Sequence, residues 1–151
     1  MSIHIKFIPI NIAIVTISDT RILDNDKSGD VLEERILNSN HKIISRDIVR
    51  DDFDEINKSF SGLINNKKID VIISTGGTGL TGRDITPEVM ETLFEKTIDG
   101  FGEMFRWLSY KKIGTSSLQS RALAGVSNGT YIFCLPGSPS ACRDGWDQIL
   151  I

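Results

Sequence analysis

A glycine-rich segment with an acidic residue behind it has the residue types that a phosphate-handling site needs. Residues 71–73 form a short apolar run, and four glycines follow within seven positions: Gly76, Gly77, Gly79 and Gly82. Such a loop can bring backbone N–H groups against an anion. Asp84 follows two residues after the last glycine, and its carboxylate is a ligand that hard metal ions prefer. This order predicts a strand, an anion-binding loop and a metal-capable carboxylate.

Other interpretations of this loop fit less well. Residues 77–82 satisfy the GxGxxG pattern of dinucleotide-binding folds, but the next helix is predicted to begin only at Thr86. A Walker A loop is excluded because no Gly-Lys-Ser/Thr follows. A plain tight turn needs only one or two glycines, and Asp84 stays free if Thr86 caps the helix. The glycines therefore favour a functional loop.

Four other residues each allow two interpretations. Asp51, at the end of the second predicted strand, either helps Asp52 to begin the next helix or points into a strand-end crevice. Arg121 follows a Ser- and Thr-rich stretch and is either solvated or a phosphate clamp. Trp107 and Tyr110 flank a predicted helix face, and they either extend the core or form a subunit interface, where large aromatics are enriched.

The elements that must position these residues alternate along the chain. Nearly continuous apolar runs predict strands at residues 10–17, 43–49, 70–75 and 131–135. Capping signals and helical spacing predict helices that begin near Ser28, Asp52 and Thr86, one across residues 101–112 and one after Pro139. This alternation predicts an α/β fold with a mainly parallel central sheet.

Three polar or glycine-rich turns follow predicted strands, and they are Ser18-Asp19, residues 75–84 and residues 136–140. Ligands of parallel sheets lie at the carboxyl ends of the strands. We therefore expect the three turns to converge on one site.

Length and composition are those of an ordinary globular protein. The 151 residues fit one domain, 1–151, with 40% hydrophobic residues, 25% charged residues and a net charge of −3. That charge leaves no broad basic face, so we expect no nucleic-acid partner. No apolar run approaches membrane-spanning length and no signal-like cleavage site occurs, so we expect no membrane partner. Two cysteines outside CxxC spacing fit a reducing cytoplasm.

Short motifs recur over almost the whole chain: Phe7-Ile8-Pro9, Ser18-Asp19-Thr20-Arg21, Asp26-Lys27-Ser28-Gly29, Thr75-Gly76-Gly77-Thr78-Gly79, Asp84-Ile85-Thr86-Pro87-Glu88, Gly100-Phe101-Gly102-Glu103, Gly114-Thr115-Ser116, Leu118-Gln119-Ser120-Arg121-Ala122 and Leu135-Pro136-Gly137-Ser138. Their combination resembles the molybdenum cofactor biosynthesis protein B family, which is related to molybdopterin adenylyltransferases and to domains of gephyrin-like proteins. The resemblance implies a three-layer α/β sandwich of the molybdopterin-binding type. It also implies a homotrimer, or a hexamer made of two trimers.

An activity comes with the resemblance. It implies Mg²⁺- and ATP-dependent transfer of AMP to the terminal phosphate of molybdopterin, with release of pyrophosphate. ATP is then a substrate, and Mg²⁺ is the cofactor. The alternative is a non-catalytic protein that binds or carries a pterin in the same pathway.

The resemblance assigns roles to residues of this chain. Asp84 and Asp51 are the expected catalytic acids, and Asp84 is the expected metal ligand. The expected contacts to nucleotide phosphates are Thr75, Gly76, Gly77, Thr78 and Gly79. The expected pterin contacts are Ser18, Asp19, Ser116, Pro136, Gly137 and Ser138. Positive charge for the phosphates is expected from one of Arg83, Arg121 and Arg143.

Overall fold

Strands and helices alternate in the computed structural model, which describes residues 5–151, so the first four residues of the expected 1–151 domain lie outside it. The described strands are β1 (Asn11–Ile17), β2 (Lys42–Val49), β3 (Val71–Thr75), β4 (Lys96–Thr97), β5 (Leu123–Ser127) and β6 (Thr130–Leu135). The described α-helices are α1 (Lys27–Asn38), α2 (Phe53–Asn65), α3 (Thr86–Leu93), α4 (Asp99–Ile113) and α5 (Pro139–Gly145). None of these helices is both long enough and apolar enough to cross a membrane.

The six strands form one sheet in the order β2-β1-β3-β6-β5-β4. The first four strands of this order are parallel, whereas β5 runs antiparallel to β6 and β4 runs antiparallel to β5. The predicted α/β fold with a mainly parallel sheet is therefore confirmed. The register pairs Thr16 with Thr75 and Thr75 with Leu135, so β1, β3 and β6 end at the same edge.

Helices cover both faces of the sheet. Alternate residues of a strand point to opposite faces, and in β1 Ile12 and Ile14 pack in a cluster with α1, α4 and α5. Ala13 and Val15 pack in a second cluster with α2 and α3. All four side chains are buried, which is why β1 is apolar at nearly every position. The expected three layers are present.

Carboxylates cap two of the helices. Asp52 begins α2 as predicted, and its Oδ2 accepts a hydrogen bond from the Glu55 N–H at 3.0 Å. Helix α1 begins one residue earlier than predicted because its cap is Asp26, whose Oδ1 accepts from the Gly29 N–H at 3.0 Å. The Asp26 carboxylate is fully buried, so this cap lies inside the fold.

Thr86 does not cap α3, and that prediction is wrong. Thr86 lies inside the helix, which is preceded by Ile85, and no side chain of residues 5–151 caps this end. The Thr86 hydroxyl instead donates to the Gly76 carbonyl oxygen at 3.0 Å, and its N–H donates to the Gly77 carbonyl at 3.0 Å. Thr86 therefore fastens α3 to the glycine loop.

Strands β4 and β5 are absent from the sequence prediction. β4 has only two residues, and β5 contains Gly125, which weakens a strand pattern. The glycine is required because a Cβ there would lie 2.4 Å from the Phe94 ring. The β5–β6 hairpin turns at Asn128 and Gly129, both at positive φ (50° and 78°). Asn-Gly is a strong hairpin signal, so this dipeptide could have revealed β5.

Gly76→Ala should destabilise the protein by about 2 kcal/mol or more, whereas Gly82→Ala should change stability by less than about 0.5 kcal/mol. Gly76 has φ of 108°, and a Cβ there would lie 2.2 Å from the Ile17 carbonyl oxygen. At Gly82 a Cβ would meet no atom within 4 Å. Urea unfolding of both variants measures the difference, and equal stabilities would contradict this account of the loop.

Candidate functional site

A cavity of about 460 Å³ lies where β1, β3 and β6 end. Helix α1 follows β1 and covers one face of the sheet, whereas α3 follows β3 and covers the other. The adjacent strands β1 and β3 thus form the topological switch point, where ligands of α/β sheets bind. The lining residues come from all three predicted turns and the strand ends: Thr16, Ile17, Ser18, Arg21, Asp51, Thr75, Gly76, Gly77, Thr78, Gly79, Asp84, Pro136, Gly137 and Ser138. The predicted convergence is therefore observed.

The glycine loop presents unbonded N–H groups to this cavity. Gly76 and Gly77 have φ of 108° and 71°, which turns the chain sharply after β3. Within residues 5–151, the N–H groups of Gly77, Thr78 and Gly79 donate to no protein acceptor. The Gly76 N–H is used, because it donates to the Leu135 carbonyl at 2.9 Å. Three consecutive amides are thus available to an anion.

Arg121 holds this loop in place. Its Nε donates to the Gly79 carbonyl at 2.7 Å, and its Nη2 donates to the Asp84 carbonyl at 2.7 Å. Its Nη1 donates to both carboxylate oxygens of Glu88 at 2.9 and 2.6 Å. These contacts fit neither interpretation of Arg121 fully, because its partly exposed guanidinium is bonded to the protein instead of being left to solvent or to a phosphate. It fixes the glycine loop to α3.

Asp84 lines the cavity but is less free than the sequence suggested. Its Oδ2 accepts from the Thr81 N–H at 3.0 Å and from the Thr81 hydroxyl at 2.8 Å. These bonds fold the segment between Gly79 and Asp84 into a tight turn. Among residues 5–151 no side-chain or backbone donor bonds to Oδ1, so this oxygen remains available to a ligand.

Asp51 also faces the cavity, which decides between its two interpretations, because Asp52 alone caps α2. Partial burial raises the pKa of the Asp51 carboxyl, and the negative charges of Asp19 and Asp84 raise it further. Arg83 acts in the opposite direction, as does a hydrogen bond from the Asp19 backbone to the Asp51 carboxylate. Carboxylates perturbed in this way are typical of functional sites.

A second cavity of about 550 Å³ adjoins the first and shares Asp51 with it. The other lining residues are Asp19, Arg50, Asp52, Glu55 and Arg83. Arg83 donates to Asp19 Oδ2 through Nε at 2.6 Å and also through Nη2. This ion pair places Arg83, one of the three candidate arginines, in the second cavity beside Asp51.

The carboxylates fit a magnesium ion that is shared with a phosphate ligand. Within residues 5–151 no group of three or more His, Cys, Asp or Glu side chains is arranged to enclose a metal. Mg²⁺ does not require such an enclosure, because it keeps several waters and binds through one or two carboxylates plus substrate phosphates. Asp84 and Asp51 supply that number of carboxylates.

Several residues differ from the sequence expectation, and one is Asp19, which lines the second cavity but not the first. Ser116 does not line the cavity and lies exposed in a short 3₁₀ segment, Gly114–Gln119, so its pterin contact stays a prediction. Arg21, which was not among the candidate residues, does line the cavity, and its Nη1 donates to Ser28 Oγ at 3.0 Å. A basic residue two positions after the Ser18-Asp19 turn was the available signal. Arg143, the remaining candidate arginine, does not line it.

Asp51→Asn should raise stability at pH 7. Folding raises the pKa of the Asp51 carboxyl, so the folded chain binds this proton more tightly than the unfolded chain does. The free energy of unfolding therefore falls as the pH rises from the unfolded pKa of about 4 through the folded pKa. The amide removes this loss. Urea unfolding between pH 3.5 and 8 should show a gain at pH 7 that shrinks toward pH 4 and disappears below it.

Asp54→Asn is the matched control, because Asp54 is exposed in the first turn of α2, where a negative charge is favourable. This variant should gain no stability at pH 7. A gain from Asp51→Asn that does not change with pH would contradict the electrostatic account.

Comparisons with known proteins agree with this geometry. Residues 13–151 match the model of a family described as a probable molybdopterin binding domain. The chain is 44% identical over 145 residues to molybdenum cofactor biosynthesis protein B of Escherichia coli K12, covering 96% of this chain and 85% of that protein.

Solved structures agree as well. A crystal structure of a molybdenum cofactor biosynthesis protein B superposes with a TM-score of 0.91 at 40% identity, covering 94% of this chain and 89% of the other. The tungsten cofactor synthesizing protein of Pyrococcus furiosus gives 0.84 at 35% identity, with coverages of 94% and 91%. The chain therefore belongs to the molybdenum cofactor biosynthesis protein B family of molybdopterin-binding domains, and its function lies in molybdenum cofactor biosynthesis.

Proposed function

We propose that the protein transfers AMP from Mg-ATP to the terminal phosphate of molybdopterin and releases pyrophosphate. The observation that carries this proposal is one cavity that combines three unbonded loop amides with Asp51 and Asp84. The description of the matching family as a probable molybdopterin binding domain supports the pterin as one of the two substrates.

The reaction is a substitution at the α-phosphorus of ATP. An oxygen of the molybdopterin phosphate forms a bond to this phosphorus, and the bond from the phosphorus to the departing pyrophosphate breaks. A phosphate monoester is largely ionised at neutral pH, since its second pKa is about 6, so no strong general base is needed. The difficulty is that an anion must approach a triphosphate, and the protein must offset that charge.

Residues of the cavity are suited to this task. The N–H groups of Gly77, Thr78 and Gly79 donate to phosphate oxygens, and they need no reorganisation because Arg121 already fixes the loop. Asp84 and Asp51 would hold Mg²⁺, which would supply positive charge to offset that of the phosphates. Without the metal, the two carboxylates repel the triphosphate, so turnover should require Mg²⁺.

Purified protein mixed with molybdopterin, ATP and Mg²⁺ should release pyrophosphate and form adenylylated molybdopterin. Asp84→Ala should lower kcat/KM by about two to three orders of magnitude, the scale expected for losing transition-state charge stabilisation. The control is Asp54→Ala, which removes an exposed carboxylate outside the 460 Å³ cavity and should leave kcat/KM unchanged. Pyrophosphate is measured by a coupled assay and the pterin product by chromatography.

A non-catalytic pterin-binding or carrier protein is the second candidate. It is favoured by the bonds from Thr81 to Asp84 Oδ2, which give this carboxylate a structural task within the loop. A carrier would bind molybdopterin tightly, keep that affinity in Asp84→Ala and release no pyrophosphate above a no-protein control. That set of results would replace the adenylylation proposal.

Self-association through α4 is part of the proposed function. Trp107 and Tyr110 are 58% and 57% exposed, so the interpretation that they extend the core is wrong. Met104, one turn before Trp107 on the same helix, is 51% exposed. Phe101 and Phe105 on the same helix are buried. The remaining interpretation is a subunit interface, in agreement with the homotrimer or hexamer that the family resemblance implies.

Trp107→Glu should shift the protein from a trimer or hexamer toward the monomer, because it places a charge in the centre of this apolar face. Analytical ultracentrifugation at micromolar concentration measures the change. Leu37→Glu, at an apolar residue of α1 that is 52% exposed, is the control and should leave the assembly intact. A monomeric wild type, or equal effects of both variants, would contradict the α4 interface.

A further inference from the structure

Arg21 is the sole basic side chain among the described residues that line the 460 Å³ cavity. Its side chain is 33% exposed, so it is accessible to a ligand without being loose on the surface. Neither the proposed loop contacts nor the proposed metal site uses it. The position of the Arg21 guanidinium in the cavity therefore needs a separate explanation.

A buried network holds this guanidinium. Arg21 Nη1 donates to Ser28 Oγ at 3.0 Å and lies 3.8 Å from Asp26 Oδ1. The Ser28 hydroxyl in turn donates to the Gly137 carbonyl at 2.7 Å, in the turn that follows β6. Ser28 itself is fully buried. Arg21 is therefore fastened to the side of the cavity that the Pro136–Ser138 turn forms.

Asp26 anchors the network from behind. Its fully buried carboxylate accepts from the Gly29 N–H at 3.0 Å, from Thr16 Oγ1 at 2.7 Å and from Arg46 Nη2 at 3.2 Å. Because these donors already satisfy Asp26, Arg21 contributes attraction at 3.8 Å rather than a hydrogen bond. A guanidinium has five N–H donors, and one of them is committed to Ser28, so most remain available to a ligand.

The two ends of the site have different cations. Arg83 lines the second cavity beside Asp19 and Asp51, whereas Arg21 lines the first cavity together with the Pro136–Ser138 turn. Arg83 thus lies at the carboxylate end, where Mg²⁺ and the loop amides would offset the charge of ATP. The second phosphate of the reaction has no metal of its own, so a fixed protein cation has to offset its charge.

We propose that Arg21 binds the phosphate of the acceptor substrate, and that buried Asp26 and Ser28 are positioning residues that hold its guanidinium for this contact. The inference rests on the proposed function, because it assigns a residue to one of the two substrates. Bidentate geometry makes arginine the suitable residue type for a phosphate at this position.

Equilibrium titrations with molybdopterin and, separately, with Mg-ATP test the assignment. Arg21→Gln should weaken molybdopterin binding by about 10- to 100-fold, the range for losing a charged hydrogen-bond partner, and should change Mg-ATP affinity by less than about threefold. Arg21→Lys should recover part of the loss, because it restores the charge without the fork. Arg143→Gln, at an exposed arginine of α5 outside the cavity, is the matched control and should change neither affinity.

The positioning roles need a separate readout, since Asp26→Asn removes a buried cap and can prevent folding. Ser28→Ala avoids that problem and should weaken molybdopterin binding by about 3- to 10-fold. In the Arg21→Gln background it should cause no further loss, whereas a merely structural role would give additive effects.

Equal losses for both ligands, or a wild-type affinity for molybdopterin in Arg21→Gln, would overturn the assignment while leaving the proposed reaction intact. Additive losses in the double variant would remove the positioning roles. Absence of molybdopterin binding by the wild type would instead overturn the proposed function itself.

Discussion

The site depends on β1 and β3 being adjacent parallel strands whose following helices cover opposite faces of the sheet. Because the backbone leaves the two strand ends in opposite directions, a crevice opens between them. The register fixes its depth, since Thr16 and Thr75 pair at the last step of the ladder. Both strands are held there by burial on two faces, because Ala13 and Ile14 of β1 are buried on opposite faces of the sheet, and so are Ile72 and Ile73 of β3. The core thus determines where the chemistry can take place.

Ion pairs decide which charged residues remain available in that crevice. Arg121 is fully engaged by two carbonyls and Glu88, and Arg46 is engaged by Asp26 together with other carboxylates of α1. Both arginines therefore serve the fold, although their residue type alone is equally suited to phosphate. Arg21 differs because one hydrogen bond orients it while the rest of its guanidinium stays open. Residue type suggests a role, but the partners determine it.

The sequence was sufficient for features that local physics controls. Apolar runs located the four parallel strands, and the spacing of Asp52 and Glu55, which is that of a capping box, located the Asp52 cap. Two of the failures, those at Thr86 and Arg21, share a different cause, which is bonding between distant segments. The Thr86 hydroxyl was assigned to its own helix but bonds to Gly76, ten residues away. Arg21 reaches the Pro136–Ser138 turn only through Ser28, which bonds to a carbonyl 109 residues distant. No periodicity or spacing encodes such contacts.

Two features of the site restrict which side chains it can hold, and a bound cation would relieve one of these restrictions. The positive φ of Gly76 is tolerated because the residue has no side chain. Asp51 is harder to accommodate, because burial and two neighbouring carboxylates disfavour its ionised form. A divalent cation between these carboxylates would favour the ionised form of Asp51 and so offset the effect of burial and of its neighbours. The repulsion among the carboxylates thus becomes part of their affinity for a cation, which is the reason that an acidic cavity suits a phosphate ligand that arrives with a metal.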